Sequence, residues 1–527
     1  MFPPSFNHRH RGFTSLLRRC DSTIQLQQIH AQFTIHGLSF DPHLFLSSPH
    51  LDLDSSYLLL LLLRSLPSPT SAYNALIRAS SASRNPSRSF SLYARMLRAA
   101  ARPDHLTFPF LAKSCARLAL PRLGLSLHSH VAKAGLASDR FVQNSMVHMY
   151  AACGGMRLAR RVFDEISQPN VVSWNSLLDG YAKCGDLAAA REVFGRMPER
   201  DVVSWSAMID GYVKGGECNE AIELFDSMEA LQFGPKANEV TMVSLLCACA
   251  HLGSLEQGRR MHRYLEQNGF RLNLTLATSL IDMYAKCGSI HDALLVFRAV
   301  PAEKTDVLIW NAMIGGLALH GLGKESVEMF EKMQELRVMP DEITYLGLLT
   351  ACVHGGLVYE AWSFFKSLEA QGMRPHVEHY ACLVDVLGRA GQIRDAFELV
   401  EKMPIPPSAS VLGALLNSCR MHGWVEMGEI VGKRLVELEP YHDGRYIGLS
   451  NIYAVGRRWD EAKSMREVME KRGVRKVPGF SEIDVGGKLH RFIAHDKIHP
   501  QSTEIYFILG LVTWQMKMED AASIVRH

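Results

Sequence analysis

The stretch Trp174-Asn175-Ser176-Leu177-Leu178-Asp179-Gly180-Tyr181-Ala182-Lys183-Cys184-Gly185 belongs to a register that returns along most of the chain. Counting from the first residue of segments such as Val171 to Asp201, Leu274 to Asp306 and Val307 to Asp341, the fourth position is Trp174, Trp205, Trp310, Tyr73, Tyr345 and Tyr380. The fifteenth is Gly154, Gly185, Gly216, Gly288, Gly321, Gly356 and Gly391, where one helix should turn into the next. The twentieth is Ala159, Ala190, Ala221, Ala293, Ala361 and Ala396, and the twenty-fourth is Phe163, Phe194, Phe225, Phe297, Phe330 and Phe365. With Met197, Met228, Met333 and Met403 about one turn further on, these residues form one apolar helical stripe. Each segment therefore predicts an antiparallel helix pair of roughly thirty to thirty-seven residues, too small to bury its own apolar face, so that neighbours must stack into an all-α solenoid.

Composition agrees with one repeat array plus terminal extensions. The chain has 527 residues, and its charge is nearly balanced, Lys plus Arg 57 against Asp plus Glu 54. That balance excludes the strongly basic footprint of a non-specific nucleic-acid binder. The six leucines from Leu58 to Leu63 fall far short of the roughly 20 apolar residues that span a bilayer, so no membrane segment is expected. Residues 1–20 carry Arg9, Arg11, Arg18 and Arg19 with no acidic residue before Asp21 and no long apolar core, a composition that suits an organelle transit peptide. The eleven cysteines mostly follow the register: Cys153, Cys184 and Cys287 share position fourteen, and Cys115, Cys249, Cys352 and Cys419 share position eleven. They read as helix-packing residues of a reduced protein. Strand signals are nearly absent.

Two polar positions vary within the fixed frame, the fifth and the last: Asn74 and Asp104, Asn175 and Asp201, Ser206 and Asn238, Thr278 and Asp306, Asn311 and Asp341. Polar residues often cap helices. Capping alone does not predict two variable positions in one frame, and the pairs read instead as recognition letters.

Segments with this register resemble the pentatricopeptide repeats of plant organelle RNA-binding proteins, whose fold is a right-handed superhelical solenoid. Unit lengths alternate as in the subclass called PLS: standard 70–104, long 105–139, short 140–170, short 171–201, standard 202–238, long 239–273, short 274–306, standard 307–341, long 342–376 and short 377–408. Residues 21–69 read as degenerate repeats. In 409–477, Gly413-Ala414-Leu415-Leu416-Asn417-Ser418-Cys419-Arg420-Met421-His422-Gly423 and Leu438-Glu439-Pro440 resemble the family's E motif, with a second helix pair from Asp443 to about Val477. In 478–527, Pro478-Gly479-Phe480-Ser481 and His499-Pro500-Gln501-Ser502 resemble the segment that introduces the family's DYW-type cytidine deaminase domain, although Glu482 stands where that segment usually has Trp and the chain ends at His527.

The resemblance implies that the fifth and last residues of a unit face one RNA base and that the second packs against it, one repeat addressing one base. Uracil and guanine present a ring N–H that suits the acceptor-only carboxylate of Asp, whereas adenine and cytosine present a bare nitrogen that suits the amide of Asn. Carried over position by position, Asn74 with Asp104 implies U, Asn144 with Asn170 C, Asn175 with Asp201 U, Ser206 with Asn238 A, Thr278 with Asp306 G and Asn311 with Asp341 U. Long units contribute little because Pro109, Val243 and Leu346 cannot make these bonds, and Ala381 with Ser408 is weak. The element implied is U-x-C-U-A-x-G-U-x-x. Phe141, Val172, Val203, Thr275 and Leu308 would pack against the bases, and Lys183, Lys214, Lys286 and Arg389, all at position thirteen, would line an edge where phosphates run.

No catalytic site, metal site or cofactor is expected. His376-Val377-Glu378 has the H-x-E spacing of zinc deaminases, but no P-C-x-x-C follows. Gly323-Lys324 evokes a phosphate loop, but Ala318 and Glu325 occupy positions that loop reserves for Gly and for Ser or Thr. The resemblance implies a site-recognition factor for C-to-U editing of single-stranded RNA in the mitochondrion or chloroplast, recruiting a DYW-type deaminase in trans and multiple organellar RNA editing factors. A factor for transcript stabilisation, splicing or translation would use the same repeats. A protein-binding scaffold would not need the paired letters.

Overall fold

In unit after unit the first helix starts directly behind the last residue of the preceding unit. That residue is its N-cap: Asn170 before Val171–Lys183, Asp201 before Val202–Lys214, Asp306 before Val307–Leu319 and Asp341 before Glu342–Gly355 all have extended backbone and a side chain accepting from the third helical N–H. The helix then ends where the register placed its glycine. After Val171–Lys183, Gly185 adopts φ +80°, its N–H bonds the carbonyl of Ala182, and Asp186 N–H bonds Tyr181, a paired closure that a left-handed glycine permits. The second helix, Leu187–Arg196, begins within two residues and buries Ala190, Val193 and Phe194.

The computed structural model describes residues 68–231, 234–476, 478–485, 488–493 and 497–524, together with 28, 31, 32 and 35. The expected transit peptide and nearly all of the expected degenerate repeats of 21–69 lie outside the described residues. The chain divides into two compact units, Met1–Thr241 and Met242–His527. In the first, helices Pro69–Ala82, Thr107–Leu118, Arg140–Ala152, Val171–Lys183 and Val202–Lys214 stack in chain order, each against its own partner helix. In the second, the same arrangement links Leu274–Lys286, Val307–Leu319, Glu342–Gly355, Val377–Arg389, Ala409–His422 and Asp443–Val455.

The core of each unit is built from the register. Phe163 meets Trp174 edge-on at 4.8 Å, Phe194 meets Trp205 at 5.0 Å, Phe297 meets Trp310 at 4.9 Å and Phe365 meets Tyr380 at 5.1 Å. Each contact joins the second helix of one repeat to the first helix of the next, and such a pair adds about 0.5–1.5 kcal/mol beyond its area burial. The aromatic fourth position is thus core, as expected. Cys115, Cys249, Cys352 and Cys419 are buried, in line with their assignment to packing. In the last two helix pairs, hydrogen bonds from Lys433 and Arg458 outweigh burial and hold the Glu429 carboxyl down to about 2.

Close approach of successive first helices depends on small residues. A Cβ at Gly211 would lie 2.8 Å from the Cβ of Ala182, whereas one at Gly315 would meet nothing. Both glycines are helical, where alanine is intrinsically favoured by about 1 kcal/mol. Gly315→Ala should therefore raise the urea midpoint and Gly211→Ala should lower it, by about 1–3 kcal/mol against propensity. Equal stabilisation by both would mean that the helices do not pack this closely.

Among the described residues strand occurs at one place, in line with the near absence of strand signals. Phe480–Val485 and Lys488–Ile493 form an antiparallel two-stranded sheet, with Glu482 opposite Arg491, followed by the helix Ser502–Ile524. Among the described residues no helix is long and apolar enough to cross a membrane.

Candidate nucleic-acid interface

The paired letters meet through side chains. Asn74 Nδ2 donates to Asp104 Oδ1 at 2.8 Å, Asn175 to Asp201 at 3.0 Å and Asn311 to Asp341 at 2.9 Å. The same carboxylate oxygens accept from backbone at the start of the next helix, from the N–H of Thr107 at 3.0 Å, Ser204 at 2.9 Å and Thr344 at 2.9 Å, Asp201 and Asp341 being its N-caps. Each of these carboxylates spends Oδ1 on such bonds, and among the described residues no side-chain hydrogen bond reaches Oδ2, while the Val203 N–H also favours the charged form of Asp201. One acceptor per unit is left over. Burial alone would raise the carboxyls of Asp104 and Asp201, but hydrogen bonds from Asn74 and Thr107, and from Asn175 and Ser204, prevail and hold both below the usual carboxylate range.

Where the last residue is Asn, the same cap leaves a donor. Asn238 Oδ1 accepts from Thr241 N–H at 2.9 Å, and Asn170 Oδ1 from Ser173 N–H at 3.0 Å, so each Nδ2 is turned away from the cap. Capping and base reading are therefore compatible roles of one residue: the inner atom is always an acceptor, and the amino acid decides whether the outer group accepts or donates.

Not all pairs close equally. Ser206 Oγ reaches Asn238 Oδ1 only at 3.4 Å and lies 2.6 Å from Thr241 Oγ1. Among the described residues no hydrogen bond joins Asn144 to Asn170 or Thr278 to Asp306. Asn144 is buried with Oδ1 unpartnered, because the Ser173 hydroxyl bonds Asn170 instead, and Asp306 caps through Ile309 N–H at 3.2 Å, beside a residue that has no hydroxyl.

The second residue of each unit stands beside these letters. Phe141, Val172, Val203 and Leu308 are 52–58% exposed, large values for apolar side chains on a stacked array, and Thr275 is exposed too. Val240 and Ile343 in long units are equally open at 60% and 58%, which the sequence reading passed over because it judged those units by their fifth residue. Their register position was the available signal.

Position thirteen differs from a free basic row. Lys183 pairs with Asp179 at 2.7 Å, Lys214 with Asp210 at 2.6 Å, Lys286 with Asp282 at 2.8 Å and Arg389 with Asp385 at 3.1 Å. The partner lies four residues earlier in every case, visible in sequence, and each exposed pair contributes about 0.3–0.5 kcal/mol to its helix. The row therefore presents little net charge. No group of three or more metal-ligating side chains occurs among the described residues, and His376 and Glu378 sit at the start of an ordinary helix.

Comparison with known proteins follows the same map. The PPR repeat family profile matches residues 200–251 and 305–354, PPR repeat profiles match 71–99, 172–202, 276–301, 343–373 and 371–404, and the E motif profile matches 422–484. A pentatricopeptide repeat-containing protein of Arabidopsis thaliana is 51% identical over 96% of this chain and 96% of its own length. The mitochondrial pentatricopeptide repeat-containing protein OGR1 of Oryza sativa subsp. japonica is 38% identical over 94% of this chain and 81% of its own. The crystal structure of the pentatricopeptide repeat protein PPR10 from maize is similar over 87% of this chain and 78% of that one, at 18% identity and a TM-score of 0.46. The register, the profiles and the near full-length relatives agree: this chain belongs to the pentatricopeptide repeat family and carries its E motif.

Proposed function

We propose that this protein binds single-stranded organelle RNA one base per repeat and selects sites for C-to-U editing, with a DYW-type deaminase supplied in trans. The observation that carries the RNA reading is the leftover group at the unit boundary, an acceptor on Asp104, Asp201 and Asp341 and a donor on Asn170 and Asn238, each next to an exposed second-position side chain. A hydrogen-bond code with apolar packing suits single-stranded bases and needs little net charge. The E motif match supports editing over plain RNA protection, and multiple organellar RNA editing factors are the partners such a complex would enlist. The mitochondrial location in the rice relative's name supports the mitochondrion over the chloroplast.

Sequencing all organelle transcripts with and without the protein tests this reading. Loss of conversion at one or a few cytidines preceded by U-x-C-U-A-x-G-U-x-x is the expected result. Intact editing with altered transcript ends or splicing would instead assign the same RNA-binding surface to stabilisation, splicing or translation.

A further inference from the structure

A third side chain accompanies the letters. The third residue of the following unit is Thr107 after Asn74, Ser173 after Asn144, Ser204 after Asn175, Thr241 after Ser206 and Thr344 after Asn311. Units whose fifth residue is apolar, with Pro109, Val243, Leu346 or Ala381, are followed by Val142, Leu276, His379 and Val411, and Thr278 is followed by Ile309. A hydroxyl thus appears wherever the fifth residue is Asn or Ser and nowhere else in the array. All five hydroxyl residues are 0% exposed, so none could be there to meet solvent or ligand directly.

We propose that at Thr107, Ser204 and Thr344, where it reaches the fifth residue of the repeat before it, this buried hydroxyl is a positioning residue of the base-reading unit and fixes the orientation of that Asn. In the unit read by Asn175, Ser204 Oγ accepts from Asp201 N–H at 3.2 Å and donates to Asn175 Oδ1 at 2.7 Å. Asn175 Oδ1 is thereby held toward the hydroxyl, and Nδ2 is left for Asp201 Oδ1. The pattern repeats at Thr107, donating to Asn74 Oδ1 at 2.7 Å, and at Thr344, donating to Asn311 Oδ1 at 2.6 Å. Without the hydroxyl the carboxamide loses the donor that distinguishes its two ends, and the carboxylate beside it loses a neighbour held in one orientation. The inference rests on the reading that these pairs face bases.

Competition binding with RNAs that differ only as U or C at one base tests it, at the bases assigned to Asn175, Asn74 and Asn311. Ser204→Ala should lower the preference for U over C at the Asn175 base by roughly 3- to 10-fold, the loss expected for one buried hydrogen bond. Preferences at the other two bases should be unchanged, and Ser204→Thr should restore the parent value because threonine already fills this place at Thr107 and Thr344. Undiminished preference in Ser204→Ala, or an equal loss at all three bases, would overturn the positioning role, the second outcome marking a general effect on folding. If the parent shows no preference at any of the three bases, the base-reading assignment itself falls and this inference with it.

Discussion

Asp201→Asn should turn the preference for U at one base into a preference for C, while the fold is left as it is. The fold should survive because the chain already carries the product of this substitution one repeat earlier. Asn170 caps its helix at φ −94°, ψ 176° with a capping box to Ser173, and Asp201 caps its own at φ −94°, ψ 178° with a capping box to Ser204. Asn and Asp are equivalent caps to within a few tenths of a kcal/mol. What changes is the outer group. The unused Oδ2 of Asp201 can accept the ring N–H of uracil but faces the lone pair of cytosine, whereas an amide donates to cytosine and confronts the uracil N–H with a second donor.

A mismatched buried polar contact costs about 1–3 kcal/mol, so the ratio of U to C affinity should move by about 10- to 100-fold in each direction. Competition binding with two RNAs differing at that base alone measures it. A variant that still prefers U, from a parent that does, would show that the outer atom does not read the base. Burial raises the Asp201 carboxyl and the bonds from Asn175 and Ser204 lower it by more, so the group titrates below the ordinary carboxylate range near 4. Any stability it contributes is fully present above that range and is lost only at lower pH, so the parent's U preference should be unchanged between pH 7 and pH 5.

The array was legible in sequence because each repeat states the same constraint again. A lone Gly185 or Trp174 decides nothing, but the same residue types at the same interval fix helix, turn and stacking partner together. The letters were legible as pairs through family resemblance, yet the hydrogen bond that joins them was not, because Asn175 and Asp201 are far apart in sequence and meet only after the helix pair has closed. The same distance hid Ser204, whose hydroxyl serves a side chain of the preceding repeat. Asp179, by contrast, stood in plain view four residues before Lys183; the cations were read as a row for phosphate, and the acidic row beside them was not weighed. The strand pair Phe480–Val485 and Lys488–Ile493 was missed for another reason: both strands are short and lie beyond the array, where the helical register gives no guidance.

Trp205→Ala should have the largest effect on stability, about 3–5 kcal/mol, and that loss should stay local. Trp205 is 6% exposed and meets the Phe194 ring edge-on at 5.0 Å, while the Arg200 guanidinium lies over that ring at 4.9 Å. Arg200 also donates to the carbonyls of Phe194 at 2.8 Å and Gly195 at 2.9 Å, closing the end of the helix that carries the phenylalanine. Removing the indole opens a cavity where this helix packs on the next repeat, a junction otherwise tied by Arg191 donating to Tyr212 Oη at 2.6 Å. Trp205→Phe should cost far less, because it keeps an aromatic edge there and discards an indole N–H that is buried without a partner. In a solenoid each repeat is stabilised chiefly by its neighbours, so hydrogen exchange in Trp205→Ala should accelerate in Leu187–Arg196 and Val202–Lys214 and remain slow in Thr107–Leu118 and Val377–Arg389. Base preference should fail in step, at the bases assigned to Asn175 and Ser206, while those assigned to Asn74 and Asn311 keep theirs. Acceleration of all four helices together would mean that the chain folds as one cooperative body, and a defect in any repeat would then cost recognition along the whole RNA element.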